Sequence, residues 1–216
     1  TAGNKVYDGG TAATIDASNV SLSVVLSGDT VVLNTGSVAG TFADKNVGAG
    51  KSVSIAGLTL SGVDGPNYTL TQPSATAGII PASLSITAAA SNRSYDGTTT
   101  ASAVLSDNRV SGDILTATFV GAAFSDKNVG TNKSVSVTGI SVTGTDSGNY
   151  TNNSSAGSTA DITPASLTGT AGNGNRLYGA ANPAFSVAYT GFVAGENTNL
   201  LTGALVINVP ASTNSP

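Results

Sequence analysis

The 216-residue chain has no cysteine, histidine, methionine or tryptophan, and its only glutamate is Glu196. Without cysteine there can be no disulfide, thiolate nucleophile or zinc–thiolate site. Without histidine the commonest general base and the commonest transition-metal ligand are both missing. Charged residues make up only 9% of the chain, with eight Lys and Arg against twelve Asp and Glu. Basic residues so few and so scattered leave no electrostatic footprint for nucleic acid or an anionic lipid surface. The stretch contains no signal peptide and no apolar run long enough to span a bilayer. With no methionine at all, the sequence reads as a window of a longer polypeptide.

What remains is rich in Gly, Ala, Ser, Thr, Val and Asn. Strand formers are plentiful, while the Glu, Lys, Gln and Arg that usually cover helices are scarce. That balance predicts an all-β protein with a neutral, hydroxyl-rich surface. The absence of cysteine fits a very long secreted bacterial protein, in which stray thiols would be oxidised.

Internal repetition dominates the chain. Val6-Tyr7-Asp8-Gly9 returns as Ser94-Tyr95-Asp96-Gly97 and, altered, as Leu177-Tyr178-Gly179. Phe42-Ala43-Asp44-Lys45-Asn46-Val47-Gly48 returns as Phe124-Ser125-Asp126-Lys127-Asn128-Val129-Gly130 after 82 residues, as does Asn67-Tyr68-Thr69 as Asn149-Tyr150-Thr151. Pro81-Ala82-Ser83-Leu84 returns as Pro164-Ala165-Ser166-Leu167. Tyr95 lies 18 residues before Asp113, and Tyr178 lies 18 before Glu196. The expected division is 1–81 for a first repeat lacking its first strand, 82–163 for a second, and 164–216 for a partial third.

Ser52-Val53-Ser54-Ile55 and Ser134-Val135-Ser136-Val137 alternate with period two, the pattern of a half-buried strand. After Gly57 and Gly139 the alternation slips by one residue, which predicts a bulge or tight bend. Leu84 and Ile86 alternate likewise, as do Leu115, Ala117 and Phe119. Residues 195–201 read as one helical turn; nothing else is expected to be helical. Turn signals about every 8–12 residues predict immunoglobulin-like β-sandwich repeats, with a β-grasp-like arrangement as the alternative. The joints Pro81-Ala82-Ser83 and Pro164-Ala165-Ser166 are short and restricted by proline, so the repeats are expected to form an elongated rod. Small-angle scattering checks this, a rod profile being expected in place of a compact globule or a freely jointed chain.

The Tyr-Asp-Gly-Thr segment of Tyr95–Thr98, both Asp-Lys-Asn-Val-Gly segments, the Asn-Tyr-Thr segments and the Pro-Ala-Ser-Leu joints together resemble the bacterial YDG repeat domain. Leu177–Phe185 followed by Gly191–Glu196 resembles the related MBG repeat of YGx type. One departure is Gly10, which stands where the second copy has Thr98. The resemblance implies arrays in large secreted adhesins similar to filamentous-haemagglutinin-like, two-partner-secretion proteins. It also implies an extracellular or cell-surface location, stalk and biofilm-matrix roles, and no catalytic residues.

The motif residues are read as structural. Tyr7, Tyr95 and Tyr178 are expected in repeat cores, each hydroxyl tying down a neighbouring turn supplied by Asp8-Gly9, Asp96-Gly97 or Gly179. A ligand-stacking role for these tyrosines is the less favoured reading. Tyr68 and Tyr150 mark the end of each full repeat. Asp44, Lys45 and Asn46, like Asp126, Lys127 and Asn128, are expected to form capped turns; calcium would need six to eight oxygens, and no Asp-rich loop provides them. Asp64 and Asp146 look isolated. A Lys–Asn isopeptide bond of Lys51 with Asn67, or Lys133 with Asn149, has only its residue types in favour. Asn19, Asn67, Asn132 and Asn149 head glycosylation sequons. No catalytic set, cofactor or metal is expected.

Three functional readings follow. The leading one is a structural spacer of a surface adhesin whose immediate partners are neighbouring repeats. Cell-surface or matrix glycans and proteins would then be held by other regions of the parent. The second is a carbohydrate-binding module, weakened by the lack of tryptophan. The third is a filament subunit that self-associates by strand complementation at open sheet edges.

Overall fold

A computed structural model describes residues 1–193, 195–203 and 205–208, and over them the protein is all-β. The first repeat contributes β1 (Lys5–Val6), β2 (Ala12–Ala13), β3 (Val32–Asn34), β4 (Ala39–Phe42), β5 (Gly48–Ala56), β6 (Thr59–Ser61) and β7 (Ser74–Ile80). The second opens with β8 (Ala82–Leu84), β9 (Ile86–Ala90), β10 (Arg93–Ser94), β11 (Ala103–Asp107) and β12 (Thr116–Thr118). It continues through β13 (Gly121–Phe124), β14 (Gly130–Thr138), β15 (Ser141–Thr143), β16 (Tyr150–Asn152) and β17 (Ser155–Thr163). The third holds β18 (Thr168–Ala171) and β19 (Val187–Thr190), and no helix among the described residues is long and apolar enough to cross a membrane.

The chain divides into two compact units whose limits differ from those of the repeats. One consists of residues 1–87, 105–120 and 138–156; the other consists of 88–104, 121–137 and the chain from 157 on. The first is built on a mixed sheet in the order β1-β7-β5-β4-β2, with β1 parallel to β7 and the other pairs antiparallel. Alternation turns Val53 of β5 inward opposite Phe42 of β4, and these two pack with Tyr7, Ala77 and Ile79. The second unit carries the corresponding sheet β10-β17-β14-β13, again with a parallel outer pair, around Phe124, Val135, Ala160 and Ile162. The alternating segments expected at 52–55 and 134–137 are the centres of β5 and β14.

The phase slip at Gly57 is a change of sheet. β5 belongs to the five-stranded sheet, whereas β6 pairs with β3 in a separate ladder. At the corner Gly57 has φ +85°, and a Cβ there would stand 2.0 Å from the Ser37 carbonyl oxygen, so only glycine fits. The slip after Gly139 marks the same passage, from β14 into β15, which pairs with β12.

Three expectations need revision. The first joint is shorter than three residues: Ala82 and Ser83 are already in β8, which runs parallel to β16, leaving Pro81 alone between β7 and β8. Besides the expected turn near 195–201, seen as a 3-10 turn at Thr198–Leu200, two more occur at Gly65–Asn67 and Ser147–Asn149. Each stands just before the tyrosine of an Asn-Tyr-Thr segment and lacks the apolar periodicity that marks a helix. Finally, Tyr178 is 78% exposed. β18 and β19 pair only with each other, so no described strand covers its ring as β7 flanks the chain leading into Tyr7.

Candidate functional site

The densest polar cluster of the first unit joins the two ends of its sequence. Tyr7 leaves β1 with its backbone N–H donating to the Ile80 carbonyl at 2.9 Å, and its ring is buried in the sheet core. Its hydroxyl emerges against Asp113, 106 residues further on, at 3.0 and 2.8 Å from the two carboxylate oxygens. Tyr150, at the start of β16, donates to the same carboxylate at 2.6 Å, and its own hydroxyl oxygen accepts the Val110 N–H at 2.9 Å. The two rings meet edge to face, their centroids 5.4 Å apart.

Lys45 completes the cluster. Its ammonium lies 2.8 Å from Asp113 Oδ1 and 2.8 Å from Asp146 Oδ1, with the Tyr7 ring 5.7 Å away. Asp44 holds the turn that presents it: Asp44 Oδ1 accepts the Asn46 N–H at 2.8 Å and the Lys51 ammonium at 2.7 Å. Asp146 is anchored by the Ile114 N–H at 2.9 Å. Beside them, Asn149 accepts the Val47 N–H at 2.9 Å and donates to Asn46 Oδ1 at 3.2 Å.

Burial pushes the Asp113 carboxyl up, but hydrogen bonds from Lys45, Tyr150 and Tyr7 outweigh it and hold the group below the usual carboxylate range. The Ile114 N–H, then Lys45, lowers Asp146. Burial and Asp113 push Tyr150 up to about 12 and also raise Tyr7. Asp113, Asp146 and Tyr7 together keep Lys45 charged well into alkali. Every proton is therefore held where it is, and the cluster works as a clasp.

These directions determine how stability depends on pH. Asp113 and Asp146 have folded values below their unfolded ones near 4, so their contribution is complete above that value and is lost as pH falls through the lower folded values. For Tyr7 and Tyr150 the folded values are raised, so their contribution is complete below about 10 and is lost as pH rises through the raised folded values, about 12 for Tyr150. Thermal melts should show a plateau from roughly pH 5 to 9 with a decline on either side. A maximum inside that range would contradict the assignment.

The second unit repeats the arrangement with different residues. Tyr95 donates to Glu196 Oε1 at 2.5 Å, and Lys127 stands 5.9 Å from the Tyr95 ring centre. Asp126 caps its turn as Asp44 does, accepting from the Asn128 N–H and Lys133. In both units the receiving acid closes a turn of the form apolar–x–Gly–acid. Asp113 N–H donates to the Val110 carbonyl at 3.2 Å, and Glu196 N–H to that of Val193 at 3.0 Å.

The Tyr-Asp-Gly motif now has a residue-by-residue account. Tyr7 and Tyr95 supply the donated hydroxyl. Asp8 accepts the Gly10 N–H and the Lys5 ammonium, and Asp96 accepts the Thr98 N–H, so each closes the following turn. Gly9 has φ +80°, and a Cβ on it would lie 2.8 Å from Val110 Cγ1; Gly97, at φ +78°, faces Val193 more loosely, a Cβ there standing 3.4 Å from Val193 Cγ2. Each glycine seats the apolar residue of a receiving turn. Gly179 shares the backbone conformation at φ +81°, beside an exposed Tyr178.

Two expectations about these residues change. The tyrosine hydroxyls reach an acid about a hundred residues away, not a neighbouring turn. Asp146 is no isolated acid, because it shares Lys45, and Asp64 accepts the Thr30 N–H at 2.8 Å. Asp113 and Asp146 were the residues missed. The signal for Asp113 was available in Val110-Ser111-Gly112-Asp113 and Val193-Ala194-Gly195-Glu196, which share one pattern. The isopeptide pairs are not assembled: Lys51 and Lys133 are bound to Asp44 and Asp126, and Asn149 to Val47 and Asn46. Asn149 is also buried, whereas Asn19, Asn67 and Asn132 are exposed.

The YDG domain family model matches residues 1–77 and 80–159, and the MBG domain (YGX type) model matches 167–215. No curated protein and no solved structure matches the chain.

Proposed function

We propose, on the premise that this chain belongs to the YDG domain family, that it is a structural spacer in a large secreted bacterial surface adhesin and not an enzyme. One observation carries the reading: the cluster richest in titratable side chains is a clasp between one repeat and the next. Tyr7 and Lys45 of the first repeat hold Asp113 and Asp146 of the second. The most buried aromatic residues, Tyr7, Phe42 and Phe124, are in cores and not on a surface where a sugar could stack. Backbone turns, sheet cores and joints together account for the residues that the repeats share.

The experiment uses the purified chain in two formats. On a glycan array it should bind no sugar above background. Placed between a bacterial surface anchor and a known binding domain, it should raise capture of bead-bound ligand relative to a chimera without it. Specific glycan binding by the chain, or bead capture without the binding domain, would overturn the spacer reading.

A further inference from the structure

Among the described residues the receiving turn of the clasp occurs three times, and two of the three are filled. Val110–Asp113 receives Tyr7 and Gly9, and Val193 and Glu196 receive Gly97 and Tyr95. The third is Leu26-Ser27-Gly28-Asp29, closed by the Asp29 N–H donating to the Leu26 carbonyl at 3.1 Å.

Its surroundings copy those of Asp113 in detail. Tyr68 donates to Asp29 Oδ2 at 2.7 Å and accepts the Leu26 N–H at 2.9 Å, as Tyr150 does with Asp113 and Val110. Asp64 accepts the Thr30 N–H at 2.8 Å, as Asp146 does with Ile114. Missing among the described residues are a second hydroxyl donor on Asp29, an ammonium between Asp29 and Asp64, and a cover for the apolar residue. Val110 is partly buried against the Tyr7 core, whereas Leu26 is 68% exposed.

The strand beside the turn shows the same vacancy. In the second repeat β16 lies parallel to β8, and Leu84 and Ile86 are buried at 1% and 3% exposure. In the first, Tyr68–Leu70 stands in no strand. Next to it opens a groove of about 350 Å³ lined by Val20, Leu22, Leu33, Leu58, Leu60 and Leu70 among others.

We infer that Leu26, Asp29, Asp64, Tyr68 and this groove form a docking surface for the Tyr/Lys end of another YDG-type repeat, together with the Pro-Ala-Ser-Leu strand leading out of it. The tyrosine hydroxyl and lysine ammonium of that repeat meet Asp29 and Asp64, its Tyr-Asp-Gly glycine seats Leu26, and its strand lies along Tyr68–Leu70. Charge complementarity selects this occupant, since two carboxylates face a single bound hydroxyl. A second whole copy is a poorer fit, because its Tyr7, Lys45 and Tyr95 are already engaged. The inference goes beyond the spacer reading, because it holds whatever the array carries.

The chain has no cysteine, so Leu26→Cys introduces a single thiol that reports on this surface. Three proteins are compared: the full chain; the chain preceded by a copy of its own residues 81–88; and the chain preceded by a copy of residues 1–88. The reporter sits only in the original chain. Alkylation should be as fast as for an exposed thiol in the first two and at least fivefold slower in the third. Asp29→Asn in the original chain should restore at least half of the lost rate, with an unchanged circular dichroism spectrum. An unchanged rate in the third protein overturns the inference. So does full protection by residues 81–88 alone, or concentration-dependent protection in the unextended chain, which would assign the surface to a strand or to a second copy.

Discussion

Replacing Asp113 with alanine should destabilise the first unit by about 3 kcal/mol, most of it from partners left behind. The side chain is buried and receives Tyr7, Tyr150 and Lys45. Lys45 keeps Asp146, whereas Tyr150 keeps only the incoming Val110 N–H and its hydroxyl proton loses its acceptor. Tyr7 keeps the Lys45 ammonium beside its hydroxyl oxygen, but its hydroxyl proton loses both carboxylate acceptors in a buried site. For a chain of this size the loss corresponds to a melting temperature lower by roughly 6–12 °C. Asp29→Ala removes the matching acid where its turn receives only Tyr68, and should cost about 1 kcal/mol or less. Equal losses for the two variants would show that the Tyr7 clasp contributes nothing. A double-mutant cycle of Asp113→Ala with Tyr7→Phe isolates the coupling between them.

Phe42→Ala is the second large effect, at about 3–5 kcal/mol. Phe42 is 2% exposed, faces Val53 across the β4–β5 ladder, and lies under the Lys5 ammonium at 5.7 Å. Truncation leaves a void that a sheet paired on both sides of β5 is poorly able to close. Phe124, 3% exposed with the Arg93 guanidinium 5.1 Å from its ring centre, is the equivalent in the second unit. Hydrogen exchange should quicken in β5 and β7 for Phe42→Ala, and in β14 and β17 for Phe124→Ala. Silence at either site would mean that the phenylalanine of the Phe-x-Asp-Lys-Asn segment is no core anchor.

The clasp also explains why the compact units differ from the repeats. A repeat as read from the sequence ends at its proline joint, at Pro81 or at Thr163 just before Pro164. Contacts follow the clasp, so the receiving turn and β16 of the second repeat fall in the same unit as the whole first repeat. What identifies a unit in sequence space is recurrence. In space, the deciding factor is which polar groups must be satisfied and which apolar faces covered.

Much of this was written locally in the chain. The period-two runs around Val53 and Val135 specify strands by themselves, because side chains alternate across any strand. Asp44-Lys45-Asn46 specifies a capped turn, since an aspartate reaches the N–H two residues on whatever surrounds it. The bends at Gly57 and Gly139 were visible as slips of phase. The motif segments that recur carried the family resemblance, which the family model bears out. Partners across a hundred residues were not legible, because a hydroxyl and a carboxylate carry no address. Only once β1 and β7 place Tyr7 in the core does its hydroxyl emerge where Asp113 stands. Tyr178 shows the reverse case: its motif resembles the others, but no described strand packs over it and the ring is exposed. The tandem β-repeats follow from side-chain period and recurrence, which are local properties. Which tyrosine becomes a clasp is decided by burial, and burial belongs to the tertiary structure.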